Sequence, residues 1–165
     1  MIWRLACFVL ALVTVVIMAV AWYTQYVWGW DPCALCSLQR IPYIIAPVVL
    51  LGAAGLWHRD PRAVRLLLAL AMMAFAFGIA TALYHVGAEQ GWWRANISCA
   101  SPLNWDRQTG TTGFIDLLQN QNVVSCSKPT VFVWGMSMAF TNVLVSVFLF
   151  TASAFVFHKR THPQG

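Results

Sequence analysis

The chain has 165 residues, of which 60% are hydrophobic and 9% are charged, and its formal net charge is +5. Soluble domains carry about 25% charged residues, so this composition excludes an ordinary soluble domain and indicates one membrane domain over residues 1–165. The basic residues flank apolar runs, and the sequence has no phosphate-binding loop or nucleic-acid module. We therefore expect a lipid bilayer, and no nucleic acid, as a partner.

Four charge-free apolar runs follow one another along the chain: Leu5–Trp30, Ile41–Trp57, Leu66–Ala88 and Pro129–Phe157. Each approaches or exceeds the roughly 20 residues that a helix needs to cross a bilayer, and lipid offers backbone groups no partners outside a helix. We therefore predict an all-α membrane protein, a four-transmembrane-helix bundle. Its predicted spans are about 5–28, 38–57, 66–86 and 131–157, and its outer loops are about 29–37 and 87–130.

Basic residues mark one side of the predicted bundle. They precede the first run, occupy the short loop between the second and third runs, and follow the fourth: Arg4, Arg59, Arg62, Arg65, Lys159 and Arg160. Because Lys-rich and Arg-rich loops stay in the cytoplasm, both termini are predicted to be cytoplasmic. The two outer loops then lie on the opposite face.

The segment "PCALC", Pro32 to Cys36, comes just before the second run and contains a Cys-x-x-Cys pair. Such a pair closes a very small loop, so a disulfide between its cysteines stabilises a fold far less than a long-range bridge does. Asp31 and Pro32 are predicted to be the N-cap and first residue of the second helix, which would place both cysteines in its opening turn. Together with the charge of Arg40, that position favours a reactive thiolate.

The second outer loop contains the other outer cysteines, Cys99 and Cys126. Between them, Phe114, Leu117 and Leu118 are spaced to share one helical face, which predicts a short interfacial helix in this loop. The four outer cysteines could be structural disulfides or zinc ligands, but the wide spacing of the second pair disfavours zinc, and we expect no metal. Cys7, at the inner end of the first span, is expected to be a small apolar filler.

In four spans, inner termini, "PCALC" followed by Arg40, and a widely spaced cysteine pair in the second outer loop, the chain resembles the bacterial disulfide bond formation protein B family, DsbB. The resemblance covers essentially the whole chain. It implies a quinone-dependent protein thiol:disulfide oxidoreductase of the bacterial cytoplasmic (inner) membrane. That enzyme reoxidises a DsbA-type periplasmic thiol oxidase and passes the electrons to the membrane quinone pool, as ubiquinone or menaquinone.

The resemblance also implies a role for each site residue. Cys99 would form the mixed disulfide with the soluble oxidase, and Cys126 would then engage Cys33, while Cys36 would face the quinone. Arg40 matches an arginine beside the quinone, where its charge would stabilise negative charge on Cys36 and on the quinone oxygen. Near the outer end of the third span, His85 matches a histidine expected to contact the quinone or carry protons. The family has a glutamate where this chain has Gln39.

Several alternatives remain open at this point. A relative of vitamin K epoxide reductase would share the bundle, but its Cys-x-x-Cys typically lies near the last helix. A dedicated paralogue serving a single substrate and a non-catalytic scaffold with structural disulfides are also compatible with the sequence. Arg40 could be an arginine that only marks the membrane boundary, and His85 could be an interfacial histidine bonded to a neighbouring carbonyl.

Overall fold

Five helices form most of the described structure. The computed structural model describes residues 2–30, 32–93, 132–133 and 136–161. The helices are α1 (Ile2–Trp28), α2 (Ala34–Gln39), α3 (Ile41–Gly55), α4 (Pro61–Glu89) and α5 (Met138–Thr161). Just before α5, strands β1 (Phe132–Val133) and β2 (Met136–Ser137) pair as a small antiparallel hairpin.

The four spans confirm the predicted all-α bundle, with bounds that differ from those predicted. Ile2–Trp28, Leu35–Gly55, Pro61–Glu89 and Met138–Thr161 are long and apolar enough to cross a membrane. The third span begins earlier than predicted because Asp60 caps it through its carboxylate, which accepts from two backbone N–H groups, and Pro61 fits the first turn. The last helix begins at Met138, after strands β1 and β2, whereas the fourth span was predicted to begin near residue 131, which lies outside the described residues.

The helices pack through buried residues repeated at alternate intervals of three and four. Around the bundle, α1 packs on α3, α3 on α4, and α4 on α5, which also touches α1. On α4 the buried series comprises Val64, Leu68, Ala71, Phe75, Gly78, Ala82 and His85. This 3.5-residue period is typical of left-handed helix bundles, in which the helices stay in contact along their length. Because His85 belongs to this buried series, its side chain lies in the bundle interior.

The second span is broken between α2 and α3. Arg40 is the C-cap of α2 and the N-cap of α3, and Pro42 lies in the first turn of α3, where it cannot donate a backbone hydrogen bond. Opposite this break lies Gly78, where an added Cβ would be 3.3 Å from Ser146 Oγ and 3.4 Å from Pro42 Cγ. The small residue lets α3, α4 and α5 approach closely.

The basic segments meet at one end of the bundle. Arg160 donates to the backbone carbonyl of Trp57 at 2.8 Å, and its guanidinium lies 4.9 Å from the centre of the Trp57 ring. Trp3, at the start of α1, contacts Phe155 edge-on, with ring centres 5.5 Å apart. Arg4, the α3–α4 loop and the C-terminal turn of α5 therefore share one end, and Cys33 lies at the other.

Candidate functional site

Cys33 and Cys36 lie at the start of α2, but the helix begins two residues later in the chain than the predicted N-cap at Asp31 required. Cys33 itself is the N-cap: its backbone is extended, and its sulfur accepts from the backbone N–H of Cys36 at 3.4 Å. The first helical bond runs from Ser37 N–H to the Cys33 carbonyl at 3.0 Å. Pro32 therefore lies outside the helix, contrary to the prediction, and Asp31 lies outside the described residues.

The two thiols do not share the same surroundings. Cys33 is buried, with 5% of its surface exposed, whereas Cys36 is half-buried. The side-chain hydrogen bond to Cys36, followed by burial, raises the pKa of Cys33 to about 12, although the hydrogen bond to His85 acts in the opposite direction. In the reduced protein, Cys33 is therefore a protonated thiol at neutral pH. The prediction of a reactive thiolate is wrong for Cys33.

His85 lies directly beside this pair. Its Nε2 is 3.8 Å from Cys33 Sγ and 3.8 Å from Oε1 of Glu89, one turn further along α4. Its Nδ1 is 3.2 Å from the side-chain nitrogen of Gln39. The ring contacts two side chains of the α2 segment and one of α4 itself, so it is a buried part of the cysteine site and does not match the alternative of an interfacial histidine bonded to a carbonyl.

Gln39 connects His85 to a polar chain inside the bundle. Its Oε1 accepts from Asn142 Nδ2 at 2.8 Å. Asn142 Oδ1 in turn accepts from the Tyr43 hydroxyl at 2.6 Å, and that hydroxyl is 3.0 Å from Ser146 Oγ. Because these contacts join α2, α3, α4 and α5, the position of the His85 ring depends on how the whole outer half of the bundle packs.

Arg40 occupies the break between α2 and α3 and turns toward α1. Its guanidinium donates to the side-chain oxygen of Gln25. Among the described residues Arg40 makes no ion pair with a carboxylate, so its positive charge is not neutralised there. A half-buried cation one turn beyond Cys36 suits a ligand that gains negative charge.

Two aromatic rings continue the site along α4. Tyr84 packs against the small cluster formed by Cys33 and Leu35. Trp93 stacks on Tyr84 with ring centres 5.4 Å apart, and its Nε1 donates to the Tyr84 carbonyl at 3.2 Å. A Cβ at Gly87 would overlap the Trp93 ring, so the glycine makes room for this stacking.

Cys33, Cys36 and His85 also present a possible set of metal ligands. Their ligand atoms lie within 4.8 Å of one another. Two thiolates and an imidazole suit a soft or borderline cation such as Zn²⁺. This set contains a histidine, whereas the zinc alternative weighed above had four cysteines. Cys99, Cys126 and the predicted interfacial helix lie outside the described residues. The expectation of no metal stays a prediction.

Sequence analysis identified Cys33, Cys36, Arg40 and His85, and the structure brings Cys33, Cys36 and His85 together. The sequence analysis did not predict most of the side chains that contact these residues or extend their hydrogen-bond chain: Gln25, Tyr43, Glu89, Asn142 and Ser146. The available signal was a polar side chain within an apolar span, which marks a functional candidate by default. For Asn142 that signal was visible in the fourth run, but no local pattern connects it with Gln39.

Comparison with known proteins places these features in a family. The model for "Disulfide bond formation protein DsbB" matches residues 3–156. An uncharacterized protein of Rickettsia prowazekii, RP370, is 24% identical over 141 residues, which cover 86% of this chain and 80% of that protein. Proteins named disulfide bond formation protein B from Burkholderia pseudomallei and Burkholderia mallei are 36% identical over 77 residues, or 47% of this chain and 44% of each relative. No solved structure matches.

Proposed function

The chain belongs to the disulfide bond formation protein DsbB family, whose model matches nearly its whole length, and we propose that it reoxidises a DsbA-type thiol oxidase at the expense of a membrane quinone. Membership of the family implies thiol:disulfide oxidoreductase activity and a membrane location. Four points go beyond what family membership implies and belong to the proposal: the soluble partner, the electron acceptor, the bacterial inner membrane and the cytoplasmic termini.

The observation that carries the proposal is the pair of buried Cys33 and half-buried Cys36 beside the buried His85, with Arg40 following one turn after Cys36. A structural disulfide needs no buried histidine next to it, and no cation that lacks a carboxylate partner among the described residues. Perturbed groups of this kind cluster at functional sites. The site also lies at the end of the bundle opposite the basic segments, where the positive-inside rule places the outer face.

The proposed relay conserves electrons at every step. A thiolate of the soluble partner attacks the Cys99–Cys126 disulfide, and the released Cys126 thiolate attacks Cys33 of the Cys33–Cys36 disulfide, releasing Cys36 as a thiolate. Closure of the partner's disulfide and of Cys99–Cys126 then leaves Cys33 and Cys36 reduced by two electrons. A bound quinone supplies the acceptor for these two electrons and two protons.

The chain's own residues suit this acceptor. Cys36 is the more exposed sulfur, and Arg40 is fixed at the helix break by Gln25. The guanidinium would hold a quinone oxygen and stabilise the negative charge that develops there. Cys33, His85 and Gln39 are all buried, so the sulfur of Cys33 is shielded from water while that of Cys36 is more accessible.

Separate cysteine substitutions test the relay. In Cys99→Ser and Cys126→Ser, oxidation of the soluble partner should be abolished, while quinone still reoxidises the reduced Cys33–Cys36 pair. The matched control is Cys7→Ser, because Cys7 is fully buried at the opposite end of the bundle and should not affect the relay. Partner oxidation at full rate without Cys99 would show that the proposed relay is wrong.

A non-catalytic scaffold with structural disulfides is the second candidate, favoured by the predicted outer position of four of the five cysteines. Titration of the thiols in graded redox buffers separates the two, since structural disulfides have potentials below about −300 mV and catalytic ones are more oxidising. A low potential for Cys33–Cys36 would favour the scaffold.

A further inference from the structure

The two ring nitrogens of His85 have neighbours of different chemistry. Nδ1 is 3.2 Å from the amide nitrogen of Gln39, whereas Nε2 is 3.8 Å from both Cys33 Sγ and the Glu89 carboxylate. A neutral imidazole has one N–H donor and one acceptor nitrogen, and the hydrogen bond at one nitrogen decides where the proton lies. The orientation of the Gln39 amide therefore decides what the ring presents to Cys33.

The neighbours of Gln39 fix that orientation. Its Nε2 lies 3.4 Å from the carbonyl oxygen of Thr81, which can only accept, and its Oε1 lies 2.8 Å from Asn142 Nδ2. Turning the amide over would bring two carbonyl oxygens together on the Thr81 side. It would also place two amide NH₂ groups against each other at Asn142, so the present orientation is the one that satisfies the network.

Asn142 is fixed in the same way. Its Oδ1 accepts from the Tyr43 hydroxyl at 2.6 Å, which leaves Tyr43 to accept from Ser146 at 3.0 Å. The donors then all point in one direction, from Ser146 through Tyr43, Asn142 and Gln39 to Nδ1 of His85. Hydrogen bonds aligned in a chain polarise and strengthen one another.

We propose that Gln39 and Asn142 are positioning residues that hold neutral His85 in the tautomer with its proton on Nε2. Nδ1 accepts from Gln39 and so carries no proton. The ring therefore presents an N–H donor, and not a base, to Cys33 Sγ.

The catalytic consequence of this tautomer rests on the proposed function. In the exchange that frees Cys33, the bond between its sulfur and that of Cys126 breaks, and the electron pair remains on Cys33 Sγ. The attacking Cys99 thiolate forms the new bond to Cys126. A donor aimed at Cys33 Sγ stabilises it as the leaving thiolate during this step. The Cys33 thiolate then takes up a proton and becomes a thiol.

The same tautomer opposes metal binding by the cysteine pair. A histidine that binds a metal through Nε2 needs a lone pair there and normally donates from Nδ1 to an acceptor. Gln39 offers Nδ1 a donor, so the lone pair does not face the sulfurs. In Gln39→Glu, a carboxylate would accept from Nδ1–H and turn the Nε2 lone pair toward Cys33 and Cys36.

Nitrogen NMR reads the tautomer directly. The full-length thiol-form protein would be labelled with ring-¹⁵N histidine in lipid nanodiscs, with His85→Gln used to assign the signals. Wild type should show a protonated Nε2, Gln39→Leu should show interconverting tautomers, and Gln39→Glu should show a protonated Nδ1. Gln25→Leu is the matched glutamine control and should leave the His85 signals unchanged, because Gln25 contacts Arg40. A wild-type ring protonated on Nδ1, or on both nitrogens, would overturn the proposal, as would an unchanged spectrum in Gln39→Leu.

Zinc affinity supplies a second, gain-of-function measurement. In a Cys99→Ser, Cys126→Ser background, Gln39→Glu should bind Zn²⁺ at least about tenfold more tightly than Gln39 in chelator competition, as carboxylate–histidine pairs do. Equal or weaker binding would contradict the tautomer assignment. Neither measurement uses quinone or a protein partner, so both remain decisive if the proposed function fails. If the tautomers change as expected but quinone-coupled turnover of Gln39→Leu does not fall by about tenfold, the donor role at Cys33 is wrong.

Discussion

Cys33 should react with alkylating agents about a thousandfold more slowly in the folded protein than in the denatured chain at pH 8. Only the thiolate reacts, and the pKa of Cys33 is raised to about 12 by its hydrogen bond to Cys36 and by burial. At pH 8 this pKa leaves about one Cys33 in ten thousand as thiolate, whereas an unperturbed cysteine, with a pKa near 8.5, is about one quarter ionised. Burial also limits access of the reagent, so both effects slow the reaction.

The pH dependence follows from the sign of the shift. A raised pKa means that folding favours the protonated thiol, so this contribution to stability is present below about pH 9 and is lost as the pH rises toward 12. Cys36→Ser removes the thiol partner that contributes most to the shift. The alkylation rate of Cys33 in that variant should therefore rise by about tenfold or more, because one pKa unit corresponds to a tenfold change in thiolate.

Mass spectrometry of the reduced protein can follow each cysteine separately. The protein would be kept in detergent or nanodiscs, pulsed with isotope-coded iodoacetamide, denatured, and chased with the second isotope. Denatured protein pulsed in the same buffer supplies the reference rate for each cysteine. A folded Cys33 that reacts within tenfold of its denatured rate would refute the reasoning, and so would a rate unchanged by Cys36→Ser.

Two further predictions concern Arg40 and the orientation of the chain. Arg40→Ala should lower quinone-dependent turnover by about a hundredfold, the loss typical of removing one group that stabilises developing charge, and Arg40→Lys should retain part of the activity. Steady-state oxidation of a dithiol partner across a quinone series measures this effect, and an unchanged quinone dependence in Arg40→Ala would reduce Arg40 to a membrane anchor. A reporter active only outside the cytoplasm should be active when fused at Gly110 and inactive at Asp60, because the basic residues cluster at the other end of the bundle. The opposite pattern would place the cysteines in a reducing compartment.

The spans could be predicted from sequence because a bilayer imposes a length and an apolar composition on every helix that crosses it. The ends of the helices depend on one or two residues, and their effect is lost in a composition averaged over about 20 residues. Asp60 and Pro61 start α4 before the apolar run begins, and strands β1 and β2 lie within a stretch that is as apolar in sequence as a span. At Cys33, a sulfur replaces the expected carboxylate as the helix cap, which the preference of N-caps for oxygen side chains does not predict.

The partners of the site were harder to predict than its cysteines. Cys33, Cys36 and Arg40 lie within eight consecutive residues, so their spacing alone carries information. Gln39 and Asn142 are 103 residues apart and meet only because α2 and α5 both pack against α4. Contacts of that kind depend on the relative rotation of helices. A single sequence constrains this rotation only through the seam of each helix, which is the series of residues that it buries against its neighbours.

That seam explains how a polar chain can exist inside an apolar bundle. On α5 the inward positions continue at intervals of three and four from Ala139 through Asn142 and Ser146 to Leu149. Asn142 and Ser146 lie in the outer half, beside Tyr43 and His85, whereas the inner half contains Val64 and Leu68 of α4 and the buried Ser153 of α5. A buried polar group is strongly unfavourable unless it is hydrogen-bonded, and this cost is severe in a membrane. The aligned chain from Ser146 to His85 satisfies each member only when the helices keep this register, so the packing that holds the bundle together also orients the imidazole toward Cys33.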